Sequence, residues 1–483
     1  IEYSDNWFSP PFSAPHHKTL GSYWFTALAI RIFGNSELAL RLPSIFSSFL
    51  CLICTYLIAL RITTKKSALI SVFSLSSMPL WIQYSRYASP DLPFVLCILL
   101  FILFFLKSLD SSQYFRQYFY ILFSGFFIST SFFIRSYMVF IPFIGLSPFV
   151  FFHLFRKGNI FKSSFLSGIL LGSLPTFLNF YFSFKRYGII GITSFFDFAK
   201  KQAIGDFSFS NLLLLPINFL YLTFPVGILF LILFVFTKSN HNINYPLLIY
   251  YYPLISLTLL LCMSTSYPHY YLCLLPSLSI LFANYISFNS FRFRTSKLSI
   301  KYLLFIIIIF LSFILLFFIT NYKDFIINIS FGNQFLVYFV SLLLLLSYIT
   351  SLRFLLDINQ FSVNLLSFFY NLVIPQYVSL SLLFNFGLLG NPNYNTKLFL
   401  KDESVSSIIN SNTIYLFSVE SKIQTLLSYY LPNSKVVEDD DEISSYKYVI
   451  TFDSKTLDKL YEKKVFKTIK KFDNHILLMN IGT

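Results

Sequence analysis

The chain has 483 residues, of which 56% are hydrophobic, 21% are aromatic and only 12% are charged, whereas about 25% of the residues in soluble domains are charged. This composition excludes a soluble globular protein. The net charge of +15 does not indicate nucleic-acid binding, because the excess is spread over short loops rather than gathered on one polar module. Residues 1–394 contain 24 Lys and Arg against 9 Asp and Glu, while residues 395–483 contain 12 of each.

The first 38 residues contain no segment long enough to cross a membrane. No apolar stretch precedes residue 20, so neither a signal peptide nor an anchoring helix is visible there, and we expect a further segment upstream. The stretch Leu20–Phe33 is apolar but only about 14 residues long, and it carries Tyr23 and Trp24 near one end. These features favour a helix lying at the membrane interface. Residues 1–38 are therefore interpreted as part of an extracytoplasmic loop.

Apolar stretches of about 20 residues, the length that crosses a hydrocarbon core of about 30 Å, recur from residue 39 to residue 394. They predict an all-α membrane domain of about twelve spans. The predicted spans are 39–60, 66–83, 91–107, 114–133, 135–155, 165–184, 211–237, 245–263, 268–287, 300–320, 333–353 and 361–390. All five cysteines fall inside these spans, so no disulfide framework is expected.

The basic residues of the loops predict the orientation of the spans. If residue 1 is extracytoplasmic, the cytoplasmic loops and span ends hold 14 Lys and Arg and the outer ones hold 7, or 10 when the N-terminal region is counted. Cytoplasmic loops are normally the richer in Lys and Arg. We therefore expect a multi-pass protein of the plasma membrane, the inner membrane of a bacterium, whose even number of spans leaves the C-terminus outside as well.

Residues 395–483 differ in composition from the rest of the chain. Charges become dense, and the short β-rich runs Thr413–Val419, Tyr446–Phe452 and His475–Ile481 alternate with the helix-like stretches Ser421–Leu431 and Ser454–Val465. This alternation predicts a small extracytoplasmic α/β domain. The acidic run at 438–442 is interpreted as a solvated turn, because consecutive carboxylates lack the spacing of a calcium loop.

Unusual polar residues gather at the outer ends of the predicted spans. They lie in the runs Pro15–Lys18, Ser85–Asp91 and Tyr267–Tyr271, and at Arg135. Each has an ordinary alternative: the arginines can snorkel to the interface, and Asp91 can sit in the first turn of a helix. Together they supply the donors that an anionic headgroup needs. His16 and His17 favour hydrogen bonding over metal binding, and no metal or cofactor is expected.

Several of these runs resemble the GT-C membrane glycosyltransferases, in particular the aminoarabinose-transferase and protein-mannosyltransferase-like group. The resemblance covers most of residues 7–290 in order. The matching runs are His17–Trp24, Arg31–Ser44, the Arg-x-x-x-x-Asp pattern of Arg86 to Asp91, Phe133–Pro142 and Tyr270–Pro276. The resemblance implies a transferase that moves a hexose or pentose from a polyprenyl-phosphate carrier to an extracytoplasmic lipid, glycan or protein acceptor.

The resemblance also implies roles for individual residues. Lys18, Arg86 and Arg135 would offset the charge of the carrier phosphate, with Tyr23, His269 and Tyr270 as its hydrogen-bond partners. Asp91 matches the second acid of the family. The first acid, the proposed general base, is expected upstream of residue 1, and Asp5 is a poor substitute for it.

Two other classes remain open from the sequence. A secondary transporter would place charges inside the membrane, but it would also predict repeated halves and broken helices, and no such repeat is visible. A lipid-linked oligosaccharide ligase or polymerase would differ from the transferase described above mainly in its donor. The sugar and the acceptor are not determined by the sequence.

Overall fold

The computed structural model defines the protein over most of its length. The residues it describes are 18–204, 219, 222–224, 226–227, 230, 237–238, 244–263, 267–287, 292–293, 331–356, 361–386, 394–417, 426–427, 429–431, 433–437, 446–451, 466–472 and 475–480. The predicted span 300–320, the helix-like stretch 454–465 and the acidic run 438–442 lie outside these residues.

The N-terminal helices follow the sequence prediction closely. Helix α1 (Gly21–Phe33) leaves Phe25, Ile32 and Phe33 exposed, which agrees with a helix lying against lipid. Helix α2 (Glu37–Ile62) begins where the Ser36 side chain accepts a hydrogen bond from the Ala39 backbone N–H at 3.2 Å. Its 26 residues make it about 39 Å long, enough to span a membrane.

The stretch predicted as one span at 66–83 forms two helices, α3 (Lys65–Ser77) and α4 (Pro79–Arg86). Met78 between them is extended, with φ −68° and ψ 129°. The cause is Pro79, which has no N–H to donate and which disfavours helical geometry at the residue before it. This break directs the end of α4 toward the start of the next long helix.

Helix α5 (Asp91–Asp110) lies in the centre of the bundle. In its most apolar stretch 72% of the residues are buried, whereas the corresponding share for α8 (Asn159–Tyr187) is 28%. Helix α5 packs on α2 and on α6 (Tyr114–Arg135). The loop that leads into α5 is hydrogen-bonded to α2, because the Ser44 hydroxyl of α2 donates to the Ser89 carbonyl at 3.0 Å. Asp91, the first residue of α5, is thereby fixed within the protein rather than at its lipid surface.

Helices α6 and α8 touch backbone to backbone through glycines. A Cβ on Gly168 would lie 2.0 Å from the Leu122 carbonyl oxygen, and one on Gly172 would lie 2.3 Å from that of Phe126. Small residues of this kind let membrane helices approach closely. The opposite side of α8 exposes Leu170, Leu174 and other large apolar side chains, as expected of a face turned to lipid.

The remaining described helices of the membrane unit are shorter or irregular. They are α7 (Phe140–Arg156), α9 (Ile190–Ile204), α10 (Tyr252–Cys262), α11 (Leu275–Ser287), α12 (Phe331–Leu356) and α13 (Phe361–Asn385). A short π-helix at Leu247–Tyr251 precedes α10, and a 3₁₀ segment at Pro268–Cys273 precedes α11. The two-residue strands β1 (Thr237–Lys238) and β2 (Arg292–Phe293) pair antiparallel.

Among the described residues, four segments are long and apolar enough to cross a membrane: Glu37–Ile62, Asp91–Asp110, Tyr114–Arg156 and Asn159–Tyr187. The number twelve for the spans stays a prediction. Of the five cysteines, four are buried in the bundle and Cys262, near the end of α10, is exposed.

The C-terminal unit begins at Phe386. Its described residues form α14 (Tyr394–Lys401), α15 (Glu403–Ser411) and five strands: β3 (Ile414–Phe417), β4 (Ser434–Val437), β5 (Tyr448–Thr451), β6 (Phe466–Phe472) and β7 (His475–Asn480). Their order in the sheet is β4-β3-β5-β7-β6, with β3 parallel to β4 and β5, and with β7 antiparallel to β5 and β6.

Alternating side chains bury both faces of this sheet. Val449 and Leu478 belong to one apolar cluster, while Ile450 and Leu477 belong to another that includes Val405 of α15. The predicted α/β domain is confirmed, and the strands β3, β5 and β7 coincide with the predicted runs. Strands β4 (Ser-Lys-Val-Val) and β6 (Phe-Lys-Thr-Ile-Lys-Lys-Phe) were not predicted, because they contain lysines that interrupt the apolar pattern, as is usual for edge strands.

Candidate active site

A cavity of about 920 Å³ opens at the end of the bundle where α5 begins. Five segments contribute to its wall: residues 18–23, the end of α4 with the loop into α5, the residues that join α6 to α7, the end of α10, and the 3₁₀ segment before α11. Six of the eight predicted site residues line it, namely Lys18, Tyr23, Asp91, Arg135, His269 and Tyr270. Asp5 lies outside the described residues.

Asp91 and Arg135 form the ionic centre of the cavity. Arg135 Nη2 lies 3.0 Å from Asp91 Oδ1, and the two side chains are only 14% and 7% exposed. Asp91 occupies the first position of α5, where the partial positive charge of the helix N-terminus favours a carboxylate. Arg135 is the last residue of α6, so the pair joins two helices at the cavity.

Arg135 has hydrogen-bonding capacity beyond this ion pair. Its Nε is buried and has no hydrogen-bond partner among the described residues. A buried donor left unpaired costs about 1–3 kcal/mol. Such a donor next to a cavity is expected where a bound ligand completes the hydrogen bonding.

Lys18 adds a positive charge to the cavity wall. Lys18 is exposed in the fold, and partial desolvation lowers its pKa; the nearby charge of Arg135 lowers the pKa further and that of Asp91 raises it. Among the described residues that line the cavity, Asp91 is the single acid, against the two cations Lys18 and Arg135. This described part of the wall favours an anion.

Packing against α6 places Lys18 here. Gly21 sits on the backbone of Phe133, where a Cβ would come within 2.6 Å of the Phe133 carbonyl oxygen. The Trp24 ring meets the Phe133 ring edge to face at 4.9 Å between centroids. Only glycine allows so close an approach, and it brings the residues just before α1 to the end of α6.

Aromatic side chains form another part of the cavity wall. The Tyr84 hydroxyl lies 3.4 Å from His269 Nδ1. The His269 ring stacks on Tyr267 with centroids 5.6 Å apart and 5° between the planes, and it meets Tyr270 edge to face at 4.6 Å. Tyr87 packs on Tyr84 at 5.4 Å.

Tyr84, Tyr87 and Tyr267 also line the cavity but were not among the predicted site residues. Tyr87 and Tyr267 lie within the polar runs Ser85–Asp91 and Tyr267–Tyr271, so their position in those runs was the available signal. Tyr84 stands two residues before the end of α4, outside these runs.

Arg86 does not line this cavity. Its guanidinium lies over the ring of Phe384 in α13, 5.7 Å from the centroid. This contact agrees with the alternative that Arg86 packs at the interface. The part of the chain that the structure describes contains no cluster of three or more His, Cys, Asp and Glu side chains suited to a metal ion; His16 and His17 lie outside it.

The helical membrane bundle with its cationic, partly apolar cavity and a small α/β domain has the GT-C fold. Residues 17–182 match the model of the dolichyl-phosphate-mannose-protein mannosyltransferase family. The resemblance noted in the sequence is thus confirmed, and the protein is a multi-pass membrane protein with several apolar helices.

Two solved structures share this fold over nearly the whole chain. ArnT from Cupriavidus metallidurans bound to undecaprenyl phosphate superposes with a TM-score of 0.73 at 15% identity, covering 99% of this chain and 91% of that one. The same protein in the apo state gives 0.71 at 15% identity, covering 99% and 90%. An uncharacterized protein of Aquifex aeolicus (strain VF5) is 41% identical over 80 residues, only 16% of this chain and 16% of that protein.

Proposed function

We propose that the protein is a membrane glycosyltransferase that takes a sugar from a polyprenyl-phosphate carrier and transfers it to an extracytoplasmic lipid, glycan or protein. The observation that carries this proposal is the described wall of the cavity, in which Lys18 lies together with the Asp91–Arg135 ion pair. Two cations placed there are suited to a phosphate, which accepts several charge-assisted hydrogen bonds.

The rest of the cavity wall suits a lipid better than a soluble anion. Ile134, Ile141, Ile144, Leu259 and Met263 line it together with the polar residues. A polyprenyl phosphate has the same two-sided character, with a charged head and a hydrocarbon tail. Undecaprenyl phosphate is the lipid bound in the ArnT structure that shares this fold, which supports a carrier of this class here.

Transfer places new negative charge on the departing phosphate. Cations held in advance at that position stabilise the transition state more than the ground state. Lys18 and Arg135 take this role in the proposal. Tyr23, His269 and Tyr270 are the hydrogen-bond partners of the phosphate. The phosphate is already a competent leaving group, so no acid is needed to protonate it.

The acceptor must lose a proton during the reaction. Asp91 is the carboxylate available in the described wall of the cavity, and its ion pair with Arg135 requires the charged form that can act as a base. We therefore assign the catalytic carboxylate to Asp91. Asp5, which lies outside the described residues, remains a candidate second acid in the proposal.

Location follows from the same reasoning. Nucleotide sugars are cytoplasmic, whereas the loop charges predict that the cavity faces away from the cytoplasm. A carrier lipid resolves this separation, because its tail stays in the bilayer while its phosphate lies at the outer interface. The proposal places the protein in the bacterial inner membrane with its C-terminal unit outside.

The experiment offers purified protein either a polyprenyl-phosphate sugar or a nucleotide sugar and measures transfer. Turnover is expected with the polyprenyl-phosphate sugar and not with the nucleotide sugar. Lys18→Gln should weaken donor binding through loss of charge-assisted hydrogen bonds, each worth about 1.5–3 kcal/mol. Lys66→Gln, which removes an exposed cation at the start of α3, is the matched control and should bind normally. Transfer from a nucleotide sugar without any lipid carrier would reject the proposal.

A further inference from the structure

Two buried hydroxyls connect the segment before α1 to the end of α6. Thr19 Oγ1 and Ser136 Oγ lie 2.9 Å apart, and the Thr19 backbone N–H donates to Ser136 Oγ at 3.0 Å. Thr19 Oγ1 also lies 3.2 Å from the Phe132 carbonyl oxygen, to which it can donate. The two residues are 1% and 7% exposed, so water does not compete for these bonds.

The position of these hydroxyls in the chain gives them their importance. Thr19 follows Lys18 directly, and Ser136 follows Arg135 directly. A hydrogen bond between residues 19 and 136 therefore limits how far the two cations can move apart. The two cations carry like charges and repel each other, and the hydrogen bonds of Thr19 with Ser136 hold the neighbouring backbones together against this repulsion.

The backbone at Ser136 is strained. Its φ is +52° and its ψ is −133°, a region that residues other than glycine rarely occupy. Such a conformation is unfavourable by itself and persists only when surrounding contacts enforce it. Here the strained residue supplies the hydroxyl that both Thr19 contacts share.

These hydrogen bonds are not required merely to hold α1 against α6. The close contact of Gly21 with Phe133 and the edge-to-face packing of Trp24 on the same residue already fix that pair of helices. The additional bonds act one residue away from Lys18 and Arg135. Their geometric consequence is the separation of the two charges.

We propose that Thr19 and Ser136 are positioning residues, which hold Lys18 and Arg135 at the separation at which both bind one phosphate. This inference rests on the proposed function, since it concerns the same phosphate site. Thr19 and Ser136 act through the two cations and do not themselves need to touch the phosphate.

The test measures the affinity of purified protein for undecaprenyl phosphate in detergent. Thr19→Val keeps the shape of the side chain but removes the hydroxyl, and we expect affinity to fall about fivefold, as for the loss of one or two hydrogen bonds. Thr19→Ser restores the hydroxyl and should restore most of the affinity. Ser136→Gly accommodates the positive φ without strain, so it should fold, and it too should bind more weakly.

A double-mutant cycle with Lys18→Gln separates positioning from a general structural role. If Thr19 acts through Lys18, Thr19→Val should cause little further loss in the Lys18→Gln background. An equal fivefold loss in both backgrounds would overturn the inference, as would unchanged affinity in Thr19→Val. The proposed function fails in a different way: Lys18→Gln alone would then bind undecaprenyl phosphate as tightly as the unmodified protein.

Discussion

The Asp91–Arg135 ion pair joins stability to catalysis at the residue scale. Both side chains are almost fully buried, and a buried charge that loses its partner is costly, by about 3–5 kcal/mol. Removing either Asp91 or Arg135 would therefore leave the other as an unpaired buried charge. The pair's position at the start of the well-buried helix α5 keeps it fixed while substrates exchange.

Asp91→Asn should lower turnover at least about tenfold, which corresponds to about 1.4 kcal/mol in the barrier. The amide can neither accept the acceptor's proton nor balance Arg135. Asp110→Asn is the control at the other end of the same helix, where Asp110 pairs with Arg61 at a more exposed position, and it should leave turnover unchanged. Full activity of Asp91→Asn, measured as initial rates at matched expression, would remove Asp91 from the catalytic role.

Lys18 predicts a pH dependence of carrier binding. Its pKa is lowered from the usual 10.5 by partial desolvation and by Arg135, so the ammonium loses its proton at a lower pH than a free lysine would. The affinity for a phosphate should therefore be highest below this lowered pKa and decline as the pH rises through it. Titrating undecaprenyl phosphate at a series of alkaline pH values measures this decline.

The matched variant for this measurement is Lys18→Arg. A guanidinium stays charged over the same range, so the alkaline decline should disappear or move upward even if the absolute affinity changes. An identical profile in Lys18→Arg would assign the titration to another group.

Individual residues also mark the limit of what the sequence could predict. The runs containing Lys18, Asp91, Arg135 and His269 are separated widely in sequence, yet hydropathy assigned them to the same side, and the structure brings them to one cavity. Arg86 was grouped with them by its spacing from Asp91. That spacing crosses the end of α4, and the orientation of a side chain beyond a helix end cannot be derived from residue counting.

At the scale of elements, the α6–α8 contact is the least tolerant of added volume. Gly168→Ala would place a methyl group 2.0 Å from the Leu122 carbonyl oxygen, so the helices must separate. Overpacking of this kind costs about 1–3 kcal/mol, and thermal unfolding in detergent should show a lower midpoint. Gly158→Ala serves as control, since nothing lies within 4 Å of its added Cβ; equal midpoints for both variants would contradict the packing account.

Elements with long apolar sequences were predictable, and those shaped by tertiary contacts were not. Helices α2, α5 and α6 follow the predicted spans within a few residues, because burial in lipid or protein demands long apolar helices. The 3₁₀ segment Pro268–Cys273 was predicted as the start of an ordinary span. Its tight geometry depends on contacts such as the Tyr252 hydroxyl donating to the Cys273 carbonyl at 2.8 Å, which connect distant parts of the chain.

At the scale of the membrane unit, the two ends of the bundle differ in chemistry. Helix α5 is about 30 Å long; one end carries the cavity and the other carries Asp110, which accepts hydrogen bonds from Arg61 and, at 3.0 Å, from the Tyr245 hydroxyl. Lys107 and Arg156 lie over aromatic rings at this second end. This arrangement matches the uneven distribution of basic loops in the sequence.

The orientation itself is open to a direct test. A phosphatase reporter fused after Thr483, which works only outside the cytoplasm, should be active, because the loop charges and an even number of spans predict an outer C-terminus. A reporter that works only in the cytoplasm should stay inactive at the same position. The reverse pattern would invert the predicted topology and place the cavity on the cytoplasmic side.

Cys262 offers a chemical handle that the protein already contains. The other four cysteines are buried in the bundle, so Cys262 is the one thiol of the chain that a maleimide dye could meet at the surface of the native fold. Its neighbour Met263 belongs to the wall of the cavity, which places an attached fluorophore next to the proposed binding space. Occupancy can thus be followed optically on the unmutated chain, without engineering a cysteine-free background.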